Sequence, residues 1–381
     1  MKKALVYASV ASMIQQFNMN NIKLLQELGY KVDVACNFEF GSTITEESIN
    51  KLKSTLVNMN VDFYNIPISR KISDIKNLKQ AYRITLKLLN KKNYDLIHCH
   101  SPIGGMICRV ANKNSNNYEN CKMIYTAHGF HFFKGNNLIK NFIFRNIEKY
   151  AAKYTDILIT INQEDYNAAK KFKYKNGGKT EYVPGVGINL DKINSAQSIR
   201  KQLCEELNIS PDNILVLSVG ELSVRKNQEI IIKTLPQLAN NIHYIICGKG
   251  DLKNHLSTLA KNLYVENRVH LLGFRSDIVN IMKSTDIFVF PSLQEGLPVA
   301  LMEAMASGLP CIASKIRGNM DLIENGYTGY LVNVKDENEY KEKIEILIKS
   351  DKKELILKEQ EMIKNYDAKI ISKKMKQIYL G

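Results

Sequence analysis

Two glutamates, Glu295 and Glu303, stand where residue type and spacing best suit chemistry. They belong to Asp286-Ile-Phe-Val-Phe-Pro291-Ser-Leu-Gln-Glu295-Gly296-Leu297-Pro298, which continues through Val-Ala-Leu-Met to Glu303. The apolar run reads as a buried strand ending at Pro291. A helix is expected to begin near Leu297 or Pro298, where proline is tolerated because the first helical N–H groups have no partner within the helix. Glu295 and Gly296 then occupy a strand-to-helix corner, and free backbone N–H groups there suit phosphate oxygens. Glu303 lies some two turns further along. Either glutamate alone would be an ordinary capping or solvent-facing residue. Together, around a Gly-Leu-Pro corner, they point to a ligand site.

A second segment is Val219-Gly220-Glu221-Leu-Ser-Val-Arg225-Lys226-Asn227-Gln228. A strand is expected to end at Gly220 and a helix to start near Asn227. Two cations beside the positive end of a helix are unfavourable unless an anion lies between them. A third is His128-Gly129-Phe130-His131, directly after an expected strand over 122–127. His128 is read as a site residue and His131 is left open. His98 and His100 alternate along a strand and share a face. No carboxylate or cysteine completes a metal set with them, so core or acceptor-side histidines are the favoured reading.

These residues need elements to hold them. Strands are expected at 3–8, 31–36, 61–66, 94–99, 122–127 and 156–161, then at 214–219, 242–247, 268–272, 286–290 and 310–313. Helical segments alternate with them, among them one from Phe17 to Leu28 that stops at Gly29. Residues 336–380 read as consecutive helices. Such alternation implies parallel sheets with right-handed crossovers, and two series imply two doubly wound α/β domains. The turn chemistry of Val183-Pro184-Gly185-Val186-Gly187 marks the break. The domains expected are 1–184 and 185–365, with a helix over 366–381 crossing back to the first. Parallel sheets bind ligands beyond the carboxyl ends of their strands, where Ser12, Gly220 and Phe274 also fall.

The chain has 381 residues, 45% of them apolar, a size that suits two cores rather than one. No run approaches ~18–20 consecutive apolar residues, so no membrane-spanning helix is expected. The first residues read as a buried strand and not as a leader. Seven cysteines without paired spacings argue against a disulfide framework and for a reducing compartment, the cytosol. A net charge of +15 fits a polyanionic partner, although lysine and asparagine are raised throughout the chain. Nucleic acid is not expected, because basic and aromatic residues do not interleave. Nicotinamide chemistry is disfavoured, since no G-x-G-x-x-G follows the first strand.

Glu295 and Glu303 with the residues between them resemble the E-x7-E motif of the retaining family 4 glycosyltransferases, which have the GT-B fold. Gly308-Leu-Pro310-Cys-Ile-Ala-Ser, Gly326-Tyr-Thr-Gly329-Tyr-Leu-Val, Asp95-Leu-Ile-His98-Cys-His100 and Thr126-Ala-His128-Gly129 follow the same pattern, and the resemblance spans nearly the whole chain. It is closest to the enzymes that build capsule and exopolysaccharide units. It implies two Rossmann-like domains facing a cleft, closing about the 184–190 link. It implies that Glu303 holds the donor ribose, that Glu295 with Gly296 and Leu297 faces the donor sugar, that Arg225 and Lys226 clamp the diphosphate, and that His128 lies near the donor sugar. Two departures stand out: Glu221 replaces a frequent arginine, and Ser9-Val10-Ala11-Ser12-Met13 replaces paired glycines. No D-x-D pair is present. Charge neutralisation then falls to Arg225, Lys226 and backbone N–H groups, and no divalent metal or other cofactor is expected.

The reaction expected is transfer, with retention, from a nucleotide-sugar, a UDP-sugar by preference, to a lipid-linked saccharide. Whether retention runs on one face of the sugar or through a double displacement is left open. The alternatives are a GT-B nucleotide-sugar epimerase and a non-catalytic scaffold of a polysaccharide complex. Residues 74–92 read as a helix with Lys76, Lys79, Arg83, Lys87 and Lys91 on one face and Ile75, Leu78, Tyr82, Leu86 and Leu89 on another. The apolar stripe is expected to pack on the sheet. The basic stripe is expected to meet an anionic membrane, which makes the protein peripheral on the inner membrane face, as the family uses a basic helix of its first domain.

Overall fold

The computed structural model describes residues 1–381 except Thr43 and Asn176. It divides into two units, Met1–Val186 with Ile371–Gly381, and Gly187–Ile370. In the first, β1 (Lys3–Val10), β2 (Lys31–Asn37), β3 (Asp62–Asn65), β4 (Leu96–His100), β5 (Lys122–Ala127), β6 (Ile157–Thr160) and β7 (Lys179–Tyr182) form a sheet in the order β3-β2-β1-β4-β5-β6-β7. All pairings are parallel; Val6, for example, lies between Val34 and His98. Residues 4–10 of β1 are buried without interruption, as both faces of a parallel sheet must be covered. One face packs on Ile371, Met375, Ile378 and Tyr379 of the helix Ala368–Leu380. The other packs on Ala81 and Leu88 of the helix Ile75–Lys92, Cys108 and Ala111 of Pro102–Lys113, and Ala152 of Leu138–Ala152.

In the second unit, β8 (Ile214–Val219), β9 (Ile242–Cys247), β10 (Val269–Gly273), β11 (Ile287–Phe290), β12 (Cys311–Ser314) and β13 (Tyr330–Val332) form a parallel sheet in the order β10-β9-β8-β11-β12-β13. Strand order reverses between β1 and β4 in one sheet and between β8 and β11 in the other. A crevice opens at such a reversal, because crossovers leave it on opposite faces. All seven cysteines are buried and unpaired. Among the described residues no helix is long and apolar enough to cross a membrane.

Several local expectations change. The helix expected from Phe17 to Leu28 is present as Met19–Glu27; ahead of it lies a further helix, Ala11–Phe17, which ends at Asn18, whose buried side-chain amide donates to the Met13 carbonyl at 2.9 Å. No loop separates β1 from the helix Ala11–Phe17, so Ser9–Met13 is not a phosphate-type loop. Close backbone approach is supplied by the neighbouring crossover: a Cβ on Gly104 would stand 2.8 Å from Ser9 Oγ, which accepts from the Gly104 N–H at 3.1 Å. The short strands β7 and β13 extend the two sheets beyond the strands anticipated. On the helix Ile75–Lys92 the buried residues are Ala81, Thr85, Leu88 and Leu89. Of the anticipated apolar stripe only Leu89 is buried; Ile75 is 59% exposed, and Leu78, Tyr82 and Leu86 are half-buried.

Candidate functional site

In the C-terminal unit the sequence-predicted residues converge at the reversal between β8 and β11. The chain leaves β8 through Gly220 and Glu221, makes a short turn of helix over Val224–Lys226, and passes Asn227 in the left-handed region at φ 53°. The Asn227 side chain donates to the carbonyls of Pro291 and Val334, both at 3.2 Å. The Leu293 N–H donates to the Arg225 carbonyl at 2.8 Å. These bonds tie the segment after β8 to the segment after β11. Gly248, just after β9, completes the fit: a Cβ there would lie 1.8 Å from the Gly220 carbonyl oxygen, so only glycine is accommodated.

Lys226 Nζ donates to Glu295 Oε1 at 2.7 Å, and Arg225 Nη1 donates to the same oxygen at 3.1 Å. Lys226 also lies over the Phe290 ring, 4.6 Å from its centroid. Burial holds the Lys226 ammonium below the usual lysine range, opposed by the neighbouring Glu295 carboxylate. One carboxylate oxygen thus faces two cations in a part-buried place, with the exposed Glu221 carboxylate as a second and looser counter-charge. Glu221 points its carboxylate at Arg225 from 3.9 Å and is exposed. Its carbonyl accepts from Gln228 Nε2 at 2.9 Å. Leu297 is buried, and Pro298 precedes the helix Val299–Ala306. Gly296 sits between the Glu295 corner and that helix.

Glu303 lies inside the Val299–Ala306 helix, half-buried. Burial raises its carboxyl above the usual range, and Lys192 acts weakly in the other direction. Among the described residues no hydrogen bond reaches its carboxylate. A desolvated acceptor without donors is suited to hydroxyl groups of a ligand. Phe274, after β10, is exposed, with Lys249 Nζ 6.0 Å from its ring centroid.

In the N-terminal unit the histidines gather where β4 and β5 end. His128 Nε2 and His100 Nδ1 are 3.2 Å apart and share a proton as donor and acceptor. Burial pushes His128 down to about 4 and His100 well below the ordinary range, with His98 and His128 contributing to the latter. Both rings are therefore neutral near pH 7, and His128 acts as a hydrogen-bonding group rather than a cation. His98 is locked in the core: Nδ1 meets Tyr379 Oη at 2.8 Å and Nε2 meets Thr126 Oγ1 at 2.7 Å. The described residues contain no cluster of three or more His, Cys, Asp or Glu able to hold a metal ion. A small cavity of about 40 Å³ beside the three histidines is lined by Phe17, Asn21, Ile161 and Met375 among others. Ser12 is buried in the first helix, and its N–H donates to Ser42 Oγ at 3.2 Å. His131 is exposed, its ring edge-on to Phe144 at 5.1 Å.

From sequence, His100 and Gly248 are positions directly after strands that receive no definite role at the site. The alternation of His98 and His100 on one strand face carried the signal for the first. For Gly248, the sign was a glycine directly after a buried strand.

Two parallel sheets, each reversing strand order beside its polar cluster, have the architecture of the GT-B glycosyltransferases. The crystal structure of Anabaena Alr3699/HepE in complex with UDP and glucose has this fold, with a TM-score of 0.78, 19% identity and coverage of 100% of this chain and 99% of that one. Residues 200–369 match the family described as Glycosyl transferases group 1, and residues 7–162 match Glycosyl transferase 4-like. EpsD of Bacillus subtilis, which carries a glycosyltransferase assignment, is 32% identical over 350 residues, covering 91% of this chain and 87% of the relative. The UDP-Gal:alpha-D-GlcNAc-diphosphoundecaprenol alpha-1,3-galactosyltransferase of Escherichia coli is 30% identical over 331 residues, covering 85% and 81%. The chain belongs to the group 1 glycosyltransferases.

Proposed function

We propose that this glycosyltransferase takes a sugar from a nucleotide-sugar, a UDP-sugar, and transfers it with retention to a lipid-linked saccharide in surface-polysaccharide synthesis, at the inner membrane face and without a divalent metal. The observation that carries the reading is the meeting of Arg225 and Lys226 on one oxygen of Glu295 at the strand-order reversal. Lys226 leans on Glu295, and Arg225 is held only loosely by the exposed Glu221; the two cations suit a diphosphate, which would draw them away and leave Glu295 beside the sugar. Glu303, without donors on its carboxylate, suits the ribose hydroxyls. Gly220, Gly296, Leu297 and Phe274 border the same end of the sheet, and Ser12 the corresponding end of the first. His128, neutral and backed by His100, suits a hydroxyl of the donor sugar or acceptor.

The Escherichia coli relative is named for a UDP-linked donor and a diphosphoundecaprenol acceptor, and the Anabaena structure holds UDP. The first supports the same donor and acceptor classes here, and the second shows a chain of this fold with UDP bound. Retention rests on the resemblance of the two-glutamate segment to family 4. Metal independence rests on the cation pair and the missing D-x-D.

The test is a screen of UDP- and GDP-sugars for protection against thermal unfolding. A ligand that binds only the native state at one hundred times its Kd adds about 2.7 kcal/mol. One UDP-sugar is expected to raise the melting temperature and to be consumed only when a lipid-diphosphate saccharide is added. Consumption of donor alone, with an epimerised product, would favour the epimerase alternative instead.

A further inference from the structure

The helix Leu138–Ala152 begins with four apolar side chains in water: Leu138 is 83% exposed, Ile139 71%, Phe142 72% and Ile143 49%. Positions 138, 139, 142 and 143 fall on one side of a helix, since residues four apart are neighbours. An apolar cluster of this kind on an otherwise ordinary surface marks a contact site. It is not a frayed end. Asn137 caps the helix by accepting from the N–H groups of Ile139 and Lys140, at 3.0 and 3.1 Å. Asn141 Nδ2 donates to the Phe133 carbonyl at 2.9 Å and so ties the preceding loop to the first turn. Nor is the patch a slipped core face. The inner side of the helix is already engaged, with Ala151 and Ala152 buried and Glu148 paired with Arg109 at 2.9 Å.

Charge identifies the occupant. Lys134 and Lys140 flank the patch in sequence and Arg145, Lys149 and Lys153 follow toward the end of the helix, all exposed; the acid of the stretch 134–153, Glu148, is buried with Arg109, and Glu164 accepts from the Lys134 N–H at 2.8 Å. Pairing two copies through this face would bring cations against cations. A bilayer with anionic headgroups offers hydrocarbon for the four side chains and phosphate for the cations. The helix is also close to the chemistry: it starts ten residues after His128, on the crossover that leaves the carboxyl end of β5.

We propose that the Leu138–Ile143 turn inserts into the headgroup–acyl boundary of an anionic membrane, and so sets the height of the His100–His128 end of the sheet above the lipid. The proposal rests on the membrane reading above, and adds to it an inserted element distinct from the basic helix Ile75–Lys92.

The chain contains no tryptophan, so Phe142→Trp creates a single reporter at an exposed position where folding should be unaffected. Its emission is followed with vesicles of phosphatidylglycerol and phosphatidylcholine, some carrying brominated acyl chains, alongside co-sedimentation. The expected result is a blue shift on vesicle addition with quenching by bromines near the glycerol end. Leu138→Ser with Ile139→Ser in the same background should then weaken partitioning on the order of a hundredfold. Emission that does not move while the protein still co-sediments overturns the insertion and leaves membrane contact to the basic helix. Failure of the protein to sediment overturns both. A blue shift without vesicles that grows with protein concentration overturns it in favour of self-association.

Discussion

Lys226 Nζ lies 2.7 Å from Glu295 Oε1, across the point where the C-terminal sheet reverses its strand order. The two residues are far apart in sequence and meet because β8 and β11 are neighbours in a parallel sheet. Their pairing fixes the resting state of the cation pair that the proposed function assigns to diphosphate.

Glu295→Gln removes the counter-charge while keeping the shape. Breaking a buried ion pair from one side costs about 3 kcal/mol, because the remaining ammonium is left desolvated. Thermal unfolding should show the ligand-free variant to be less stable. UDP should raise its melting temperature more than it raises that of the wild type, since phosphate no longer competes with Glu295. Turnover should fall. Equal UDP-induced shifts in the two proteins would separate Glu295 from the phosphate clamp.

Chelation is expected to leave transfer intact, because charge neutralisation rests on Arg225, Lys226 and backbone N–H groups. The check is the initial rate after EDTA treatment and dialysis. Activity abolished by EDTA and restored by Mn²⁺ or Mg²⁺ would remove the metal-independent reading.

The cations Lys76, Lys79, Arg83 and Lys87 are exposed on the helix Ile75–Lys92, whose buried side is Ala81, Thr85, Leu88 and Leu89. Replacing the four with glutamine should spare folding and release the protein from anionic vesicles. At about 1 kcal/mol per basic residue, partitioning falls by roughly three powers of ten if all four touch lipid. High salt should have the same effect. Binding indifferent to lipid charge in sedimentation assays would return this stripe to the status of a solvated face.

Acid should destabilise the N-terminal unit through its histidines. His128 is held at about 4 and His98 at about 3, both by burial, whereas an unfolded histidine titrates near 6.5. Between those values the unfolded chain binds protons that the native one refuses, so stability is full above about 6.5 and falls as pH drops toward 4. His128 alone contributes up to about 3 kcal/mol to that loss. Urea titrations from pH 7.5 to 4.5 should show a steeper pH dependence for the wild type than for His128→Gln. Identical slopes would mean that His128 is solvated and titrates normally.

The C-terminal site was the most legible part of the sequence. Pro291, Gly296 and Pro298 punctuate a strong apolar strand and a helix, so the positions of Glu295 and Glu303 followed from local rules. The meeting of Lys226 with Glu295 did not, since sequence alone offers only that both follow strands; the adjacency of β8 and β11 is a property of topology. The helix Ala11–Phe17 went unread because it follows β1 with no glycine or proline between them to mark a change of element. The strands β7 and β13 are too short for alternation to register. On the helix Ile75–Lys92, periodicity found an apolar stripe but not the burial of the small residues Ala81 and Thr85, which allow the closest packing on the sheet. The exposed Leu138–Ile143 turn shows the reverse limit, since an apolar run carries no label distinguishing core from contact surface.

On the proposed function, the C-terminal unit holds the nucleotide-sugar between the cation pair and Glu303. Calorimetric titration of UDP and of the UDP-sugar selected by the thermal screen tests it most directly, in the wild type, in Glu303→Ala and in Arg225→Met with Lys226→Met. Loss of hydrogen bonds to a charged acceptor is worth ~1.5–3 kcal/mol, so Glu303→Ala should weaken UDP about tenfold to a hundredfold. Its turnover at saturating donor should stay near that of the wild type, because the ribose is remote from the reacting carbon. The double variant should show no measurable UDP binding. UDP binding of equal strength in all three proteins would mean that neither the cation pair nor Glu303 holds the nucleotide.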